Sequence, residues 1–220
     1  MSGAATVLPA WMHWVAWAAV AAALARGAPA LLAHLRRSDG EARRVLLVAV
    51  LALAAMRWFN TAPLQGVVLH FLGATIATLM FGSGVACWIM AAVSLSGVLL
   101  GAAWHGWAAD ALVSGMLPVA VTALASRLAR RWVPRNIFTY VMFNAFFAAA
   151  LAMAASTLAK AAVTALTGGR QVAAYLAATP LLMFAEAFFA GTVMVLVVVY
   201  RPQWCCSFDD RLYLWPQRPM

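Results

Sequence analysis

The charged residues of this chain are bunched, and the bunches are separated by apolar stretches of roughly 15 to 25 residues. A helix of that length crosses about 30 Å, the thickness of the hydrocarbon core of a bilayer. The composition agrees, since 66% of the residues are hydrophobic and 10% are charged, whereas a soluble domain is about half apolar and one-quarter charged. The sequence therefore predicts an all-α, polytopic transmembrane helical bundle.

Seven apolar segments can be distinguished along the chain. They cover residues 8–25, 45–59, 66–82, 85–103, 111–125, 137–158 and 172–200. The third and fourth are joined by a Gly-Ser-Gly turn at 82–84, which predicts a tight helical hairpin. The second is short and ends near Arg57, so we expect it either to tilt little or to be helped across by snorkelling of the Arg57 side chain. Because no long linker divides the chain, residues 1–220 are predicted to form a single transmembrane domain, with 201–220 as a short cytoplasmic tail.

The distribution of basic residues predicts the orientation. With seven crossings and the N-terminus outside, twelve of the fifteen Lys and Arg residues fall in the inner loops and the tail. Only Arg57, Lys160 and Arg170 fall outside. Cytoplasmic loops collect basic residues, so the N-terminus is predicted outside and the C-terminus in the cytoplasm. The same rule explains the net charge of +9. We therefore expect the lipid bilayer, and no nucleic acid, as a partner.

This orientation gathers potential metal ligands toward the outer face. His13, His70, His105 and Asp110 all fall near that end of their segments. Imidazole suits Co, Ni, Cu and Zn ions, so the three histidines are candidate ligands. His13 and His105 each lie between tryptophans, and a place in an interfacial aromatic belt is the alternative for both. His70 lies in an apolar segment predicted to be helical, where an unpaired polar group is costly, and this favours a functional role.

Two further polar residues fall inside apolar segments. Glu186 lies in the middle of the last segment and Asn144 in the sixth. A carboxylate at that depth must be protonated, paired or facing a watery cavity. For Glu186 we expect either a structural pairing, with Asn144 or a backbone group, or a role on a transport path. Asn144 can equally hold helices together.

The motifs of several enzyme classes are missing from the sequence. It has no phosphate-binding glycine loop, no His-Glu-x-x-His and no Gly-x-Ser-x-Gly. Any use of ATP must therefore come from another chain, and the protein is predicted not to be an enzyme. An intramembrane enzyme using His105 and a serine stays open as an alternative.

One stretch resembles a known family. Residues 65–74 read QGVVLHFLGA and are closed by a Phe-Gly pair at 81–82. They resemble the His-x-x-Gly-(Ala/Thr) helix of energy-coupling-factor (ECF) cobalt and nickel permeases of the CbiM/NikM type. The opening residues 8–11, the seven-segment plan and the length are also similar. The tail, at 200–204 and 208–214, resembles a divergent proteobacterial branch of these permeases.

The resemblance implies a metal site. In that family the N-terminal amine and a second-position histidine bind the metal together with the His-x-x-Gly histidine, which His70 matches. Ser2 stands at the second position here, so the amino-terminal imidazole is absent. A free amine at Met1 or Ser2 stays available as a ligand, and His13 is the candidate replacement for the missing imidazole.

The resemblance also implies a function. It implies the substrate-capture component of an uptake system in the inner membrane, with Co2+ or Ni2+ as the transported ligand and no permanently bound cofactor. Such a component works with a transmembrane coupling subunit and cytoplasmic ATPases. The alternative is a transport-incompetent membrane scaffold or assembly factor that has kept the fold and lost the metal site, and Ser2 favours it.

Overall fold

The computed structural model describes residues 9–37, 39–58, 70–99 and 103–213. In these ranges the chain forms seven helices, followed by a short 3-10 turn and the one-turn helix α8 (Asp210–Tyr213). The seven are α1 (Ala10–Arg37), α2 (Gly40–Trp58), α3 (Ala74–Phe81), α4 (Ser83–Leu99), α5 (Trp104–Trp132), α6 (Ile137–Leu166) and α7 (Val172–Tyr200). No strand occurs in the described ranges. The predicted all-α class is confirmed.

Four of these helices are long and apolar enough to cross a membrane, namely α1, α5, α6 and α7. The apolar helix α4 is shorter. The last predicted segment, 172–200, coincides with α7. Helices α5 and α6 extend beyond their predicted ends, and α6 continues past Lys160 to Leu166. The number of crossings and the orientation of the termini stay predictions.

The third predicted segment, 66–82, was wrong at residues 70–73, and residues 66–69 lie outside the described ranges. Helix α3 begins only at Ala74, so His70 precedes the helix instead of lying within it. Gly73 causes the break, because its φ of 62° is a left-handed conformation that interrupts a helix. Gly82, with φ of 82°, then separates α3 from α4. Both glycines stand where residues with side chains would be strained.

Helix α3 lies at the centre of the bundle. All eight of its residues are buried, and it packs against α4, α5, α6 and α7. At the edge of the bundle, α1 crosses α4 at two glycines. A Cβ atom on Gly27 would lie 2.5 Å from the carbonyl oxygen of Gly84. Small residues thus allow the backbones to approach closely, as expected for helices packed in lipid.

The chain beyond α7 returns to the C-terminal end of α3. We call Cys205, Cys206 and Ser207 the C-terminal clamp. The backbone N–H of Cys206 donates to Met80 O at 3.0 Å, and Ser207 Oγ donates to Leu79 O at 2.8 Å. These bonds satisfy carbonyl groups that a helix end leaves unpaired. The start of the predicted tail is therefore packed onto the bundle.

Two helices contain π-helical stretches, Ala111–Met116 in α5 and Tyr140–Phe147 in α6. Such stretches are rare and frequently occur at functional sites. The first begins directly after Asp110, and the second contains Asn144. Each changes which side chains its helix turns toward the centre of the bundle.

Candidate functional site

Glu186 fixes the backbone that carries His70. Its two carboxylate oxygens accept the backbone N–H groups of Leu72, at 3.0 Å, and Gly73, at 2.7 Å. The side chain is 1% exposed. The sequence left open a structural pairing or a role on a transport path for Glu186, and the structure shows a pairing with backbone groups. Asn144 is also buried, and its Oδ1 has no hydrogen-bond partner in the part of the chain that the structure describes.

His70 is held by two hydrogen bonds. Its Nδ1 lies 3.0 Å from the carbonyl oxygen of Phe71, and its Nε2 lies 3.2 Å from Nη1 of Arg57. A guanidinium can only donate, so Nε2 accepts from Arg57. The proton of the neutral ring is then on Nδ1 and is donated to Phe71. The lone pair on Nε2, the atom that a metal would use, is occupied by Arg57.

Arg57 links His70 to Asp110. Its Nη2 lies 2.6 Å from Oδ2 of Asp110, and Asp110 Oδ1 accepts a hydrogen bond from Ser114 Oγ at 3.1 Å. The Arg57 side chain is 14% exposed. Its guanidinium is thus paired with Asp110 and largely buried within the bundle, while its depth in the membrane stays a prediction.

Lys160 lies close to this pair. Its ammonium group interacts electrostatically with both Asp110, which attracts it, and Arg57, which repels it. No described residue forms a hydrogen bond with the Lys160 ammonium. We call Arg57, His70, Asp110 and Lys160 the charged centre. With two cations, one carboxylate and a neutral imidazole, its net charge is +1.

A cavity of about 510 Å³ opens beside the charged centre. Arg57, Asp110 and Lys160 line it, and Trp11 and Trp107 form part of its apolar wall. Its volume falls within the range of about 300 to 1,000 Å³ that is typical of small-molecule sites. The charged centre thus borders a space that a small ligand can fill.

Of the other candidate ligands, His13 and His105 lie apart from the charged centre. His105 is exposed and accepts a hydrogen bond from Trp104 Nε1 at 3.2 Å. His13 is half-buried on α1. Among the described residues, no three His, Cys, Asp or Glu side chains come together in a group that could hold a metal. The structure therefore joins His70 to Asp110, through Arg57, without adding His13 or His105. Met1 and Ser2 lie outside the described residues.

Arg57 and Lys160 were missed as site residues by sequence reasoning. Both were assigned to the outer side of the membrane by the count of basic residues. Their positions in the sequence could have revealed them. Arg57 lies at the end of an apolar segment, and Lys160 is followed by further apolar residues before the Gly168-Gly169 pair. An ionisable residue within such a segment is a functional candidate by default.

Comparison with known families identifies the chain. Residues 4–204 match the sequence profile of CbiM, described as the cobalt uptake substrate-specific transmembrane region. The chain belongs to the CbiM family. It is therefore a multi-pass transmembrane component of cobalt uptake, in agreement with its four long apolar helices. No curated protein and no solved structure matched. The resemblance to the family is confirmed, while the proteobacterial branch stays a prediction.

Proposed function

We propose that this CbiM-family protein is the substrate-capture component of an energy-coupling-factor transporter. It takes up a divalent transition-metal cation, Co2+ or Ni2+, from outside the cell. A transmembrane coupling subunit and separate cytoplasmic ATPases supply the energy. Family membership supports cobalt as the cargo, and the lack of a phosphate-binding glycine loop supports the separate ATPases.

The hydrogen bonding of His70 carries this proposal. Histidines that ligate metals usually donate their second ring N–H to a carbonyl or carboxylate, which fixes the tautomer. His70 already donates Nδ1–H to Phe71 O at 3.0 Å, so Nε2 is the nitrogen left for a metal. Arg57 blocks Nε2 in this state, but it is also bonded to Asp110. A small rotation that keeps the Asp110 bond would release Nε2.

A second candidate function rests on the same contact. If Arg57 stays on Nε2, His70 binds no metal, and Ser2 supplies no imidazole in its place. The protein would then be a membrane scaffold or assembly factor that has kept the fold of the family. The position of Arg57 thus separates the two candidates.

Metal-dependent stability tests the proposal. Purified protein would be stripped with chelator and heated with Co2+, Ni2+, Zn2+ or Cu2+, beside the variants His70→Ala and His34→Ala. Ligand at about 100 times its Kd adds roughly 2.7 kcal/mol to the free energy of unfolding. We expect a saturable shift with Co2+ or Ni2+ that His70→Ala abolishes.

His34→Ala is the matched control. His34 lies on α1 with its ring edge-on to Phe81, 5.8 Å between centroids, and it has no place in the charged centre. We expect this variant to keep the metal shift. If no ion raises the unfolding temperature at a pH that keeps imidazole neutral, metal capture is contradicted and the membrane scaffold becomes the favoured function. An equal loss in both histidine variants would point to general damage instead of a lost ligand.

A further inference from the structure

We propose that the cavity beside the charged centre binds a carboxylate group through Lys160 and Arg57, so that cobalt is captured as a complex with a small organic carboxylate. The inference rests on the proposed function and names the form of its cargo. It differs from capture of the aquated cation, in which every ligand from the protein would be neutral or anionic.

The balance of charge is the first argument. A divalent cation favours a site lined by carboxylates or neutral imidazoles. The cavity instead presents two cations, Arg57 and Lys160, against the single carboxylate of Asp110. Asp110 is already bonded to Arg57 and to Ser114. A bare Co2+ ion would therefore enter a region of net positive charge, whereas a cobalt complex with excess negative charge would be attracted.

Lys160 supplies the second argument. Its side chain is mostly buried on α6, lines the cavity and is attracted by Asp110, but it takes part in no hydrogen bond from its ammonium to a described residue. Intramembrane ammonium groups normally pair with an anion or with backbone carbonyls. An incoming carboxylate supplies such a partner. Lys160 is thus the cation of the charged centre that is available to a ligand.

The lining of the cavity fits an organic ligand. Its volume of about 510 Å³ suits a small molecule, since such sites span about 300 to 1,000 Å³. Trp11 and Trp107 offer apolar surface. Ser94, which is 3% exposed, also lines the cavity and interacts with the Asp110 carboxylate. The wall of the cavity is thus mostly apolar, with its polar groups gathered around Asp110.

The same geometry couples the carboxylate to the metal. Arg57 Nη1 is bonded to His70 Nε2 at 3.2 Å. A ligand carboxylate that accepts from Arg57 competes with His70 for this donor and so releases the Nε2 lone pair. The released imidazole can then enter the coordination shell of the cobalt that the carboxylate carries. Carboxylate and metal are therefore expected to bind more tightly together than either does alone.

Binding of three defined probes tests the inference. Cobalt chloride, citrate, and cobalt with excess citrate would be titrated into the purified full-length protein by calorimetry. We expect cobalt–citrate to bind about 10- to 100-fold more tightly than cobalt or citrate alone, which is the effect of one hydrogen bond to a charged group. Lys160→Met should lose this gain, and Lys160→Arg, which keeps the charge, should retain most of it.

Arg170→Met is the matched control for Lys160→Met. It also removes one positive charge, but from an exposed position in the connection between α6 and α7. We expect it to bind cobalt–citrate like the parent. Equal weakening by Lys160→Met and Arg170→Met would attribute the effect to net charge and overturn the assignment of Lys160.

The outcomes distinguish this inference from the proposed function. If cobalt chloride binds as tightly as cobalt–citrate and Lys160→Met does not weaken it, the inference is overturned while metal capture stands. If citrate alone binds as tightly as the complex, through Lys160, the joint capture of cobalt and carboxylate is overturned. If none of the three probes binds, both are overturned.

Discussion

The charged centre and the C-terminal clamp lie near opposite ends of α3, and they differ in how fully their polar groups are paired. His70 precedes the helix, whereas the clamp bonds to its last carbonyls. The clamp is neutral, and Tyr140 OH lies within 2.6 Å of Ser207 Oγ and 3.0 Å of Cys205 Sγ. The charged centre has excess positive charge and borders a cavity.

We infer from this difference that the C-terminal clamp stabilises the fold, whereas the charged centre binds the ligand. At the clamp, the rings of Tyr140, Phe208 and Tyr213 pack within about 5 Å of one another, with centroid distances of 5.0 to 5.1 Å. Substitutions there should lower stability without changing the response to ligand. Substitutions in the charged centre should change the response to ligand. The following predictions test that division, from the largest expected effect to the smallest.

Removal of the Glu186 carboxylate is expected to have the largest effect on stability. Glu186→Ala leaves two buried backbone N–H groups, those of Leu72 and Gly73, without an acceptor. Each orphaned donor costs about 1 to 3 kcal/mol, so the free energy of unfolding should fall by roughly 2 to 6 kcal/mol. Thermal unfolding in detergent measures this loss. Glu186→Gln keeps one acceptor oxygen and should lie between the parent and Glu186→Ala. Parent-like stability of Glu186→Ala would disprove this anchoring role.

Breaking the Arg57–Asp110 pair should have the next largest effect. A hydrogen bond to a charged group contributes about 1.5 to 3 kcal/mol, and partial exposure of Asp110, at 27%, should bring the loss toward the lower end. Arg57→Met and Asp110→Asn should each destabilise the protein, and the double variant should lose less than the sum. A double-mutant cycle by thermal unfolding measures the coupling. Strictly additive losses would mean that the pair contributes nothing to stability.

Tyr140→Phe tests the clamp with a smaller change. The hydroxyl bonded to Ser207 and Cys205 is lost, while Ser207 Oγ still donates to Leu79 O. We expect a loss of about 0.5 to 1.5 kcal/mol in the free energy of unfolding. The stabilisation by cobalt should equal that of the parent. A changed response to cobalt would show that the two ends of α3 are not independent.

The smallest effects are expected for the two remaining histidines. His105 is exposed and His13 half-buried, and neither contacts His70 in the described structure. His105→Ala and His13→Ala should therefore change the free energy of unfolding by no more than about 0.5 kcal/mol. In both variants, Co2+ should raise the unfolding temperature as much as it does in the parent. Loss of that shift in either variant would restore the predicted ligand to the metal site.

The sequence was sufficient to predict some elements and not others, for identifiable reasons. Helix α7 could be delimited because its apolar run is bounded by Arg170 and by Pro202. Helix α6 was predicted too short because Lys160 was treated as the membrane boundary, although its side chain faces a cavity inside the bundle. The predicted start of the third helix was wrong at 70–73, because Gly73 adopts a left-handed conformation and its N–H is bonded to Glu186, 113 residues away.

The candidate site was only partly predictable for a similar reason. His70 and Asp110 could be selected by residue type, because imidazoles and carboxylates in apolar surroundings are uncommon. Their connection could not, since it passes through Arg57, which is 53 positions from Asp110 in the chain. Contacts at such separations follow from the packing of helices, and one sequence contains no direct signal of that packing.

Two contacts hold α3, Glu186 at its start and the C-terminal clamp at its end, and both have a consequence for biosynthesis. The carboxylate that accepts from Gly73 is 113 residues further along the chain, and the clamp follows it. At about 5 to 20 residues per second, the ribosome needs roughly 6 to 23 s to make that stretch. Until then the two N–H groups before α3 lack the Glu186 acceptor that they have in the finished fold. The segment that carries His70 therefore reaches its final position late, after most of the bundle has been made.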